Sequence, residues 1–309
     1  MMDCTHFITK DKIIFTTRGN IHPKNYVRAA VLYIPNESGV KILDGQAYEK
    51  CINETGENLK YKIKPQYLKN DKTGKYIIIP KKDIVKTFSP FDRKIKDKIF
   101  NELRSSKWKE LLEELKQIVP IEDIGFIGSY LIGFQNSDSD LDIIIKGSNN
   151  LYKIQKNFNA ILKKLNGKNN LNSKIFKISL EKYYSIYNRT TNDFSSMIKR
   201  RWPTISTANF TLKLRFSLKD DETNKYKFRK KKGTVEIVGL VTNDAGTNFM
   251  PRTFSLISNG KNYTAITYFW DYAYCVKTGD RVIVNAFLFN DNLLLISDVD
   301  KHGIKFKDQ

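Results

Sequence analysis

Three aspartates at alternate positions, Asp138, Asp140 and Asp142, stand at the mouth of an aliphatic run, Leu141-Asp142-Ile143-Ile144-Ile145. Residues two apart in a strand point the same way, so Asp140 and Asp142 present their carboxylates together while Leu141 and Ile143 turn to the core. Neighbouring carboxylates repel and raise one another's pKa unless a cation compensates, and a hard divalent ion with oxygen ligands is the natural compensator. Asp138 lies before the strand in a Ser-Asp-Ser turn and reads as a loop acid or an outer contact.

Ten residues upstream the chain offers devices for a different charge. Gly128 lets backbone approach a ligand closely and Ser129 offers a hydroxyl. A short helix starting at Tyr130 and ended by Gly133 would point free amides at the same spot. A phosphate cradle beside two metal ligands describes a site for a nucleoside triphosphate with Mg2+ or Mn2+. Phosphoryl transfer there needs the attacking oxygen and leaving pyrophosphate in line, with the developing charge neutralised. Two simpler motifs fail. The Asp-x-Asp-x-Asp spacing begins a calcium loop, but Ile143 stands where that loop needs glycine. Gly128 and Gly133 have P-loop spacing, but Phe134-Gln135 follows where Lys-Ser/Thr is required.

These residues must be held by regular elements. "DIGFI" (123–127) and "LDIIIK" (141–146) read as strands, the second buried and rich in β-branched residues. "WKELLEELKQIV" aligns Trp108, Leu111, Leu112, Leu115, Ile118 and Val119 on one helical face before Pro120 stops it. A further helix aligns Leu151, Ile154, Phe158, Ile161, Leu162 and Leu165, and a helical region over about 179–200 is expected before the strand "NFTLKLRFSL". The N-terminal ninety residues carry β signals closed by prolines. Beyond residue 233 five candidate strands separated by Gly, Asn and Asp turns suggest a small closed barrel of the OB or SH3 kind. The fold class expected is α+β. Its domains are a β-rich 1–88, a central mixed sheet with helices at 89–222, and a barrel-like 233–309.

Charge points to a polyanion. The chain carries 53 Lys+Arg against 33 Asp+Glu, a net +20. Basic over acidic residues number 16 to 9 in 1–90, 20 to 13 in 91–200 and 10 to 3 in 201–232, an excess of +7 each, while 233–309 has 7 to 8. RNA or DNA is therefore the expected partner of the first three quarters. The neutral tail reads better as a contact for protein or a positioner of the acceptor. Three scattered cysteines and three histidines suggest neither a disulfide framework nor a zinc site. No apolar run approaches the roughly 20 residues that span a bilayer, and no leader is evident, so the expectation is a cytoplasmic protein with no membrane partner. "KYKFRKKKG" (225–233) interleaves aromatics with Lys227, Arg229 and other cations, as a phosphate-holding, base-stacking segment or a solvated hinge would.

Gly128-Ser129, ten residues, then Asp140-Leu141-Asp142-Ile143 resembles the signature of the DNA polymerase beta-like nucleotidyltransferase superfamily. The details are similar to its minimal members and to uncharacterised multidomain archaeal proteins. The resemblance implies that Gly128 and Ser129 bind the β- and γ-phosphates of an NTP, and that Asp140 and Asp142 are catalytic and ligate the metal. It also implies a third carboxylate on a later strand. "NFTLKLRFSL" has none, so Asp220, just past its end, ranks first and Glu181 second, with Asp193 in the same helical region. Arg200 and Arg201 at a helix end, and Lys213 and Arg215 on one strand face, are further candidates for phosphate or nucleic acid. The expected activity is Mg-dependent transfer of an NMP from an NTP to a hydroxyl, most readily of RNA (tRNA included), with release of pyrophosphate. The alternatives are a protein or small-molecule acceptor, and a nucleic-acid-binding protein whose transferase domain is degenerate.

Overall fold

A computed structural model describes residues 1–51, 62–103, 106, 108–136, 139–168, 200, 203–207, 211–223, 225–269, 272, 275–298 and 302–307. Two compact units emerge: Met1–Glu54 with Ile79–Leu171 and Pro203–Thr223, and Thr55–Ile78 with Asn172–Trp202 and Asn224–Gln309.

The first unit opens with a sheet of short, apolar strands. β1 (His6–Thr9) and β2 (Ile14–Thr17) form a hairpin around Lys10-Asp11-Lys12. β3 (Tyr26–Pro35), β4 (Lys41–Leu43) and β5 (Gln46–Lys50) extend it on one side. The β6–β7 hairpin (Leu68–Asp71 and Gly74–Pro80), which up to Ile78 belongs to the second unit, follows in sequence, and β8 (Ile84–Phe88) then pairs with β1, giving the order β4-β5-β3-β2-β1-β8. Sequence periodicity marks β1, β2, β3 and β7. β4, β5, β6 and β8 are mostly exposed or half-buried and carry too little apolar pattern to stand out.

Helices α1 (Arg93–Leu103) and α2 (Lys109–Ile118) lead into β9 (Ile124–Ile127), then one helical turn, α3 (Ser129–Ile132), and β10 (Leu141–Lys146). The expected face of α2 is the buried one, with Trp108, Leu111, Leu112 and Leu115 all inside. α4 (Ser148–Lys164) buries Leu151, Ile154, Phe158 and Ile161. β11 (Thr204–Ser206) and β12 (Thr211–Ser217) complete a mixed sheet of order β11-β12-β10-β9, in which β10 runs parallel to β12 and antiparallel to β9. β10 is central, and Ile143, Ile144 and Ile145 are fully buried, each contributing about 1.5–3 kcal/mol of apolar burial. The helical region expected over 179–200 lies outside the described residues, apart from Arg200.

The second unit contains a closed barrel built from β13 (Lys231–Asn243), β14 (Arg252–Ser258), β15 (Lys261–Thr267), β16 (Arg281–Phe289) and β17 (Leu293–Ile296), with β18 (Gly303–Phe306) added on β16. The order β13-β14-β15-β17-β16 closes through β13–β16, and only β15–β17 is parallel. That is the strand order of an OB barrel. The long β13 can serve two neighbours, β14 and β16, because its 13 residues exceed either partner's length.

Candidate active site

The antiparallel register of β9 and β10 sets Asp142 opposite Ile127, the last residue before Gly128. Gly128 turns the chain at φ 67°, ψ −140°, in backbone territory that favours glycine. A Cβ there would lie 2.8 Å from Asp142 Oδ2, so the carboxylate rests against the glycine backbone. α3 follows at once and is closed by Gly133 at φ 79°, whose N–H and that of Phe134 both turn back to the Ser129 carbonyl. Asp140 is exposed just ahead of the strand and Asp142 is half-buried within it. The signature acids and the Gly-Ser turn thus meet at one end of the mixed sheet.

The other flank of β10 supplies cations. The parallel register pairs Asp142 with Lys213 and Ile144 with Arg215, so both basic side chains share the face of Asp142. Among the described residues no group of three His, Cys, Asp or Glu side chains is placed to hold a metal. Asp220, the favoured third carboxylate, falls seven residues beyond Lys213, past the carboxyl end of β12. At about 3.3 Å per residue, the strand runs it away from Asp142, because parallel strands carry their ends in the same direction. Glu181 and Asp193, like Asp138, Arg201 and Trp202, lie outside the described residues.

The N-terminal sheet touches this turn directly. Gly128 N–H donates to His6 Nε2 at 3.2 Å, and His6 Nδ1 lies 3.1 Å from Thr16 Oγ1. An accepting Nε2 requires a neutral ring, whose Nδ1–H then donates to Thr16. Burial, reinforced by the Arg215 guanidinium, lowers the His6 pKa to about 3 and keeps it neutral. Tyr33 is also close enough to feel the site: burial first, and then the charge of Asp142, push its phenol above the ordinary range. Leu131, Ile132 and Phe134 share a core with Ile8, Ile14, Tyr33, Tyr48 and Phe88. Phe134 meets Tyr33 edge-on at 5.0 Å, and Lys41 Nζ donates to its carbonyl at 2.8 Å. Sequence reasoning missed His6 and Tyr33, since one histidine or tyrosine in an apolar strand is indistinguishable from core.

Sequence comparison covers the stretch that holds the Gly-Ser turn and the two acids. The family model described as the nucleotidyltransferase domain matches residues 108–202. The chain thus carries a nucleotidyltransferase domain of the polymerase beta-like type at 108–202. The match takes in β9, α3, β10 and α4 and stops short of β11 and β12. The chain is also similar to the uncharacterised protein MJ1086 of Methanocaldococcus jannaschii, 27% identical over 262 residues that cover 76% of this chain and 74% of that one. No solved structure matches. A nucleotidyltransferase domain makes the chain a transferase acting on an NTP, and among the described residues no helix is long and apolar enough to cross a membrane.

The remaining basic candidates separate within this frame. Lys213 and Arg215 lie on β12, beside β10 in the mixed sheet. Arg200 is committed within the second unit: its guanidinium pairs with Asp280, its Nε donates to the Cys275 carbonyl at 3.0 Å, and it lies over the Phe306 ring. It therefore anchors the barrel, where the sequence suggested phosphate. Lys227 and Arg229 are exposed on the segment that enters β13.

Proposed function

We propose that the chain transfers an NMP from an NTP to a hydroxyl acceptor, RNA being the acceptor its charge favours, and releases pyrophosphate. The observation that supports this most directly is Asp142 seated against Gly128 across the adjacent ends of β9 and β10, with Asp140 two residues ahead. The acceptor oxygen forms a bond to the α-phosphorus as the bond to pyrophosphate breaks, and the hydroxyl proton is lost. Asp140 and Asp142 are the two carboxylates that would hold a Mg2+ ion, with oxygen donors of the kind such an ion takes. Such an ion would neutralise charge on the triphosphate. Lys213 stands beside Asp142, on the strand where the resemblance implied a further acid, and its charge suits the same triphosphate. Gly128 gives the phosphates room, with its N–H held by His6, so Ser129 and the cations are left to make the polar contacts.

Incubating the protein with each α-labelled NTP, Mg2+ and total cellular RNA or protein tests both reaction and acceptor. Label should pass to RNA and vanish in Asp140→Asn with Asp142→Asn; unchanged labelling in that variant would sink the assignment. One specific observation favours a second reading, a nucleic-acid-binding protein whose transferase domain is degenerate: among the described residues no third carboxylate joins the pair. Binding of RNA without labelling of any fraction would select it. Label in protein alone would move the acceptor to that class.

A further inference from the structure

The second unit brings together cations that are far apart in sequence. Residues 225–232 read Lys-Tyr-Lys-Phe-Arg-Lys-Lys-Lys, with no acid. Tyr226 and Phe228 are half-buried against the barrel cluster of Ile266, Phe289 and Leu295, and Phe228 meets Phe289 edge-on at 5.2 Å. Lys225, Lys227 and Arg229 alternate with them and are exposed. This is the alternation of an extended chain, which sets successive cations about 7 Å apart in a single file. The aromatic residues that sequence alone offered for stacking are instead the pins that hold this file on the barrel.

A second basic element docks beside it. In the β6–β7 hairpin, Lys72 Nζ donates to the Arg229 carbonyl at 2.6 Å. Gly74, at φ 100°, packs so closely on the barrel that a Cβ would lie 2.8 Å from Ser297 Oγ. The hairpin leaves Lys69, Lys72 and Lys75 exposed. Its one acid, Asp71, is occupied by Thr73 and Tyr76. None of Lys69, Lys75, Lys225, Lys227 and Arg229 forms an ion pair with a described carboxylate, in contrast to the paired lysines of the first unit. The 233–309 tail, neutral when counted alone, thus carries a strongly basic surface once folded with these two segments.

We propose that this surface, Lys225, Lys227 and Arg229 flanked by Lys69, Lys72 and Lys75, binds the sugar-phosphate backbone of single-stranded nucleic acid. Single charges in file suit a chain of phosphates, and long flexible ammonium groups bind without reading sequence. A membrane would demand aromatic or apolar groups beside the cations, and here those groups face the barrel. The inference deepens the acceptor part of the proposed function but rests on residues of the second unit alone.

Fluorescence anisotropy of labelled oligouridylate and oligothymidylate against KCl tests it on the full chain. Each neutralised phosphate contributes about 0.7 to the slope of log K against log salt, so Lys225→Ser/Lys227→Ser/Arg229→Ser should flatten the slope by about 2 and weaken binding at least about tenfold. Lys69→Ser/Lys75→Ser should act in the same direction through the hairpin. All five side chains are exposed, so thermal unfolding should stay unchanged. Binding within twofold of the parent in the triple variant would overturn the proposal. Equal binding of duplex, or binding of phosphatidylserine vesicles with none of oligonucleotide, would do the same. If Asp140→Asn/Asp142→Asn and the parent both bind oligonucleotide and neither transfers NMP, the transferase reading falls and this one stands.

Discussion

The two ends of the β10–β12 pair use the same residue types to opposite purpose. At the carboxyl end Asp123 is buried and fully engaged: Lys146 lies 3.6 Å away, Lys219 3.5 Å, and Asn150 donates to it at 2.8 Å. Glu222 accepts from Ser148 N–H and Oγ–H at the start of α4 and from Lys219 N–H. At the amino end Asp140 is exposed, and Asp142 rests against a glycine that no other residue could replace without contact. One end is closed on itself and stabilises the sheet. The other keeps Asp140 exposed and Asp142 half-buried beside the Gly-Ser turn. The two ends thus differ in how deeply their acids are buried and in what packs on them, a distinction spacing alone does not make.

The strongest way to break this contrast is to neutralise the amino-end acids. Asp140→Asn with Asp142→Asn should cut NMP transfer by about two to three orders of magnitude, several kcal/mol of charge stabilisation, while thermal unfolding barely moves. A large fall in melting temperature would show that this end is structural too. Gly128→Ala should lower both quantities. Its φ of 67° costs a non-glycine residue about 1–3 kcal/mol, and the new methyl displaces the Asp142 carboxylate. A kinetic measurement with unfolding followed in parallel should show transfer falling further than strain alone explains.

His6 links the turn to the N-terminal sheet. Its alanine variant leaves the Gly128 N–H unpaired at a cost of about 1–3 kcal/mol, and His6→Gln, which keeps an acceptor, should recover part of the loss. The pH sign follows from its lowered pKa. Between the ordinary value of 6.5 and about 3 the unfolded chain binds a proton that the folded chain refuses, so stability is full above that window and declines as pH falls through it. His22, lowered to about 4 mainly by burial, acts in the same direction. Urea unfolding across pH 3–7 should show a shallower acid loss in His6→Gln; an identical profile would remove His6 from the turn.

The smallest effect is expected at the closed end. Partial burial pushes the Glu222 pKa up, but hydrogen bonds from Ser148 and Lys219 outweigh it and hold the carboxyl below 4.5. Its contribution is therefore present above pH 4.5 and lost as pH falls through the folded value. Glu222→Gln should cost about 0.5–1 kcal/mol, the scale of a helix cap, and leave transfer unchanged. A transfer defect as large as that of the amino-end variant would erase the distinction between the ends.

Legibility followed pattern length. α2, α4, β10 and the five barrel strands carry periodicity over enough residues to be read directly. The barrel's closure does not, because β13–β16 and parallel β15–β17 join segments with no local signal between them. At the candidate site, the closeness of the Gly128-Ser129 turn to Asp142 was legible since one short stretch of chain joins them. Asp220 was misplaced because its closeness to β12 in sequence says nothing of which end of the strand faces Asp142. Only the parallel register of β10 and β12 decides that.

The sequence by itself determined the residues on offer: two carboxylates at the start of a buried strand, a Gly-Ser turn before them and an excess of positive charge. These follow from backbone periodicity and residue type, which are local. Tertiary structure alone decided the company they keep, including Lys213 beside Asp142, His6 on the Gly128 amide and Lys72 on the Arg229 carbonyl. Each pairing closes a long loop of chain, and the free energy that selects it comes from burial and register, which no single segment contains.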